Sequence, residues 1–228
     1  ILTFPEPHAL SIDTETSRGT VLATASITTD WLSRVDLSSS SPVATSIGFE
    51  AGEVAPPQDP ISELQPIQST QKDDHIFFSC SGSVSNGVPG QIQSWNVNTI
   101  GIESFDYGLE DVFTDFNSPS PKPWHIIKSP TTNRIYVALK GTSDSSGGVA
   151  CLSYSDTGEL NLEWETTSES YSLIHGVTIS SDESNVYISS SSDGSIYVFD
   201  ADTGEEINSL SNVAMMMATG IAITQNPR

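Results

Sequence analysis

His175-Gly-Val-Thr-Ile-Ser-Ser-Asp182, Val186-Tyr-Ile-Ser189, Ser195-Ile-Tyr-Val-Phe-Asp200 and Glu206-Ile-Asn-Ser-Leu210 follow one another as short runs rich in β-branched and aromatic residues, parted by Ser, Gly and Asp. Runs of this length bounded by turn formers read as strands. The same order recurs as His125-Ile-Ile-Lys-Ser-Pro130, Ile135-Tyr-Val-Ala-Leu139, Val149-Ala-Cys-Leu-Ser-Tyr154 and Leu160-Asn-Leu-Glu-Trp164, with His125 and His175 standing 50 residues apart. Four-stranded units repeating at about 40 to 50 residues are the signature of a β-propeller, each unit one antiparallel blade.

Working outward, a unit begins at His8-Ala-Leu-Ser-Ile-Asp13 and continues through Thr20-Val-Leu-Ala-Thr24, Trp31 to Asp36 and Val43 to Ile47. A looser unit places Pro66-Ile-Gln-Ser69, His75 to Cys80, Gln91 to Asn96 and Thr99 to Glu103 in the four strand positions, with Pro66 where the others have His. Gly220-Ile-Ala-Ile-Thr224 restates a first strand. The expected fold is all-β, with blades at about 7–49, 64–105, 123–166 and 174–213 and a partial blade at 215–228. Propellers close as rings of roughly four to eight blades. The chain therefore reads as a segment of a larger ring, seven blades being the commonest completion, with a four-bladed ring as the alternative.

Two segments interrupt the repeat, 49–63 and 104–122. The second interleaves Phe105, Tyr107, Phe113 and Phe116 with Asp111 and Asp115, a mixture suited to a partner-binding surface or to packing on a blade edge.

Charge narrows the function. Eight Lys and Arg against 29 Asp and Glu give a formal charge of −21, which argues against nucleic-acid binding because neutralising phosphates takes clustered cations. No stretch approaches the roughly 20 apolar residues of a membrane-spanning helix. An acidic surface with Ser-rich connections such as Ser38-Ser-Ser-Ser41 suits an extracellular or cell-surface protein. Cys80 and Cys151 fall on strands of neighbouring units and read first as buried thiols, a bond between them remaining open.

His8, His125 and His175 share one repeat position at the head of an innermost strand. Such positions converge on one mouth of the central channel, where three imidazoles can ligate a divalent metal, move protons, or cap their own strands. Asp200-Ala-Asp-Thr-Gly204 has the start of a calcium loop, but Asp-x-x-Thr-Gly is also an ordinary strand-to-strand turn, which is the reading preferred here. The run Met215-Met-Met217 is expected to fill core.

Pro123-Trp-His-Ile-Ile-Lys-Ser-Pro130, Arg134-Ile-Tyr-Val-Ala138, Leu152-Ser-Tyr-Ser-Asp-Thr-Gly-Glu-Leu160 and His175-Gly-Val-Thr-Ile together resemble the lactonase-type seven-bladed propellers and their YVTN-repeat, YncE-like relatives. That superfamily includes phosphogluconolactonases and fungal muconate-lactonising enzymes. Residues 195–206 are similar to the third-to-fourth strand turn of quinoprotein repeats. The resemblance implies a catalytic His at the head of an inner strand, with Glu and Arg just after second strands. His125 matches the His, and His175 and Lys140 are the other candidates, but the positions after the second strands hold Leu139-Lys140 and Ser189-Ser190. The expected function is a non-catalytic binding or structural module working through protein–protein contacts or self-assembly, and the alternative is a lactonase-like hydrolase or isomerase with its site at the channel mouth.

Overall fold

The computed structural model describes residues 7–13, 21–26, 31–36, 43–48, 66–72, 75–81, 90–96, 122–141, 146–217 and 219–223, and among these described residues it has fifteen strands and one short 3₁₀ turn. Strands β1 (Pro7–Asp13), β2 (Val21–Ser26), β3 (Trp31–Asp36) and β4 (Val43–Gly48) form one antiparallel sheet in chain order. The second sheet is β5 (Pro66–Lys72), β6 (His75–Cys80) and β7 (Gln91–Asn96). The third comprises β8 (Lys122–Lys128), β9 (Arg134–Lys140), β10 (Gly147–Tyr154) and β11 (Leu160–Ser168). The fourth comprises β12 (Ile174–Ile179), β13 (Asn185–Ser190), β14 (Ser195–Asp200) and β15 (Glu206–Ser211), followed by the 3₁₀ turn Val213–Met215. The expected strand at 99–103 lies outside the described residues.

The first strand of each sheet lies beside the first strand of the next, β1 by β5, β5 by β8 and β8 by β12. Sheets arranged by their inner strands in this way are propeller blades. A middle blade is buried on both faces, which explains why β9 reads Ile-Tyr-Val-Ala-Leu with no polar alternation. The period of two sends Ile135, Val137 and Leu139 toward the second blade, where they pack with Phe77 and Ile92. Tyr136 and Ala138 point the other way, into a cluster with Ile174, Val177, Ile188 and Phe199 of the fourth blade.

The Asp-Thr-Gly turns knit the blades together. Asp200 Oδ1 accepts from the backbone N–H groups of Asp202 and Thr203 and from the Thr203 hydroxyl, at 3.0, 2.8 and 3.0 Å, so this is the ordinary turn and its carboxylate is held below the usual range by those bonds. Gly204, at φ +71°, presses on the Trp164 ring of the third blade, and Gly158, at φ +88°, presses on His75 and Ser94 of the second. Trp164 Nε1 donates to the Ala201 carbonyl at 3.1 Å and Thr166 Oγ1 to that of Gly204 at 2.6 Å. Counted six residues past the turn glycine, Leu210 takes the place that Trp164 holds, but it is exposed, as are Ile207, Val213, Met216 and Met217. The expectation that the methionine run fills core therefore fails at Met216 and Met217.

Both cysteines are buried free thiols. Phe77 faces the third blade, so Cys80, three residues along the same strand, lies on the opposite face, whereas Cys151 belongs to the cluster facing the fourth blade. The two thiols point away from each other, and the open possibility of a bond is closed.

Candidate functional site

One irregularity recurs in every inner strand, and it positions the site. Pairing of each first strand with its second slips between Pro7 and Ala9, between Pro66 and Gln68, between Pro123 and Ile126, and between Ile174 and Gly176. The extra residues are His8, Ile67, Trp124 with His125, and His175. A β-bulge leaves its residue unpaired and re-aims the side chain. The shared repeat position is thus a bulge, and in the second blade its occupant is Ile67, not Pro66. Second-strand serines serve the backbone freed there: the Ser79 hydroxyl donates to the Trp124 carbonyl, with that of Gln68 3.3 Å away, and Ser189 Oγ accepts from the Gly176 N–H at 3.2 Å.

His125 and His175 come together at this end of the blades. Burial holds the His125 imidazole below its ordinary value of 6.5, and the neighbouring His175 charge adds to the effect. His175 is lowered by burial and then by Lys140, against a hydrogen bond to the Leu173 carbonyl that favours its charged form. The Trp124 ring meets His175 edge-on with centroids 5.5 Å apart, and the Lys140 ammonium stands 3.7 Å over the Trp124 ring. Burial and the nearby Lys122 charge lower Lys140 in turn.

The orientation of His175 has a traceable cause. Leu173 takes a left-handed conformation, φ 50°, strained for a residue with a branched side chain. Its carbonyl accepts from both the backbone N–H and the hydroxyl of Ser191, each at 3.1 Å. The Ser191 hydroxyl also lies 3.0 Å from His175 Nδ1, so Leu173 and Ser191 together fix the ring.

Of the residues singled out from sequence, the structure joins His125, His175 and Lys140. The backbone of His8 occupies the equivalent bulge, and its side chain lies outside the described residues. Phe105, Tyr107, Asp111, Phe113, Asp115 and Phe116 lie outside them as well. Among the described residues no group of three His, Cys, Asp or Glu gathers as metal ligands. Sequence reading missed Lys122, Trp124, Leu173 and Ser191, although Trp124 adjoining His125 was a signal in plain view. The matched positions after β13 are consumed by structure, since Ser190 Oγ donates to the Ser172 carbonyl at 2.8 Å.

No protein-family model matches the chain, and no curated protein matches it. Solved structures do. The chain is similar to the Cps50 (Swd1) β-propeller domain of Myceliophthora thermophila at 12% identity and TM-score 0.56, covering 83% of this chain and 57% of that one. A candidate 6-phosphogluconolactonase from Bacteroides uniformis is similar at 14% identity and TM-score 0.61, over 92% and 56%. The dihydro-heme d1 dehydrogenase NirN is similar at 14% identity and TM-score 0.60, over 92% and 39%. The fold is a β-propeller. The chain spans little more than half the length of the first two. Propellers with such different names share this architecture, so function has to be argued from the site.

Proposed function

We propose that the chain is a non-catalytic binding module of a secreted or cell-surface protein, acting through protein–protein contacts at the mouth formed by the inner-strand bulges. The observation that carries this reading is how the candidate catalytic positions are used. Lys140 lies across Trp124, Ser189 and Ser190 serve backbone groups, and no carboxylate pairs with Lys140 among the described residues. Opening a lactone needs a base aimed at water and cations aimed at the developing oxyanion. The acid-rich balance of 29 Asp and Glu to eight Lys and Arg supports an extracellular setting. Among the described residues no helix is long and apolar enough to cross a membrane.

The second reading, a lactonase-like enzyme at the channel mouth, is favoured by the pairing of His125 with His175. Hydrolysis of a panel of sugar-acid lactones, followed by pH-stat, separates the two. Background rates that are unchanged in His125→Ala are expected, and turnover abolished by that substitution would establish the enzyme.

A further inference from the structure

The mouth gathers like charges. Lys122, His125 and Trp124 from β8, Lys140 from the end of β9 and His175 from β12 stand together, each partly exposed. Two of the chain's eight Lys and Arg residues and two of its four histidines thus share one place in a protein of charge −21. Among the described residues, Arg134 pairs with Asp202 at 2.6 Å, and the Lys72 ammonium donates to the Thr132 carbonyl. At the mouth no carboxylate of the described residues pairs with Lys122 or Lys140, and Lys140 feels the Lys122 charge while resting on the Trp124 ring. The Lys122 and Lys140 charges destabilise one another, and an oxyanion placed beside them relieves that repulsion and draws protons onto the imidazoles.

We propose that this mouth is a carboxylate-binding site that receives an acidic side chain of a partner protein, with Lys122 and Lys140 supplying charge and the Trp124 face supplying apolar contact. The proposal rests on the binding-module reading. His175 makes the site proton-linked: Nδ1 is engaged with Ser191, and only the protonated ring donates from both nitrogens and carries a charge for the carboxylate. Among the described residues the groups facing the imidazoles are Trp124, Lys140, Leu173 and Ser191, with Lys122 beside Lys140 and uncharged Gln68 and Ser79 behind them from β5 and β6. A carboxylate favours the imidazolium forms, so binding takes up protons and strengthens as pH falls from 7.5 to 6.

The probe is glutarate, titrated into the full chain while the ring resonances of the four histidines are followed by NMR. Saturable shifts of His125 and His175 are expected, with chloride at matched ionic strength giving none. Affinity is expected to drop about fivefold, or about 1 kcal/mol, in Lys140→Gln and in Lys122→Gln, whose folding is checked by circular dichroism. Equal shifts with chloride, or affinity unchanged in both variants, would overturn the site. Lactone turnover would instead remove the module reading while leaving glutarate binding intact, so the two failures are distinguishable.

Discussion

Replacing Gly204 by Ala tests whether the blades are fastened by their turns. The added methyl would sit against Trp164 Cε3, 2.6 Å from Trp164 Cδ2 and 3.1 Å from Thr166 Oγ1, well inside the 3.4 Å at which ordinary contact begins. Relief requires the indole to retreat by about 1 Å, which lengthens the Trp164 bond to the Ala201 carbonyl beyond useful range. Losing that bond costs about 1 kcal/mol. The left-handed backbone at φ +71° costs an alanine about 1 kcal/mol more, and loosened ring packing about another. The total, about 3 kcal/mol, corresponds to a fall in Tm of about 6 to 12 °C for a chain of this size. Urea melts followed by tryptophan fluorescence measure it. In a Trp164→Ala background the clash is gone, and Gly204→Ala should cost only the backbone share of about 1 kcal/mol. An equal cost in both backgrounds would refute the contact between the third and fourth blades.

Three further outcomes are expected. Since burial and neighbouring cations hold His125 and His175 below 6.5, the unfolded chain binds protons that the folded chain does not; the urea midpoint should fall on acidification through pH 6.5, and less steeply in His125→Gln. Burial pushes the Cys151 thiol up to about 12 and Cys80 higher still, so a thiol reagent at pH 8 should label neither in the native chain and both after denaturation. Arg134→Ala should change stability by no more than about 1 kcal/mol, because the Asp202 side chain is 82% exposed and the pair is screened; a larger loss in a urea melt would show that the pair does more than join two surfaces.

Strand content, strand order and the Asp-Thr-Gly turns were legible because each depends on residues adjacent in the chain. Ser195-Ile-Tyr-Val-Phe-Asp200 can only be a pleated run, and Asp200 bonds N–H groups two and three residues on. The candidate site was half legible. The repeat singled out His125 and His175, and their neighbourhood stayed hidden because it joins residues 122, 124, 140, 175 and 191 from separate strands.

The amino-acid sequence by itself determined that this protein is a propeller of antiparallel blades, acidic and short of cations. Only the tertiary structure decided what those blades present. Whether a residue sits in a ladder or a bulge is settled by pairing between two strands, which moved the blade-two position from Pro66 to Ile67. Which of two faces a thiol occupies is settled by the parity of a strand between its neighbours, and this separated Cys80 from Cys151. The setting of the His175 ring follows from Leu173 acting with Ser191, a chain of bonds that spans 18 residues and forms only when the fourth blade is paired.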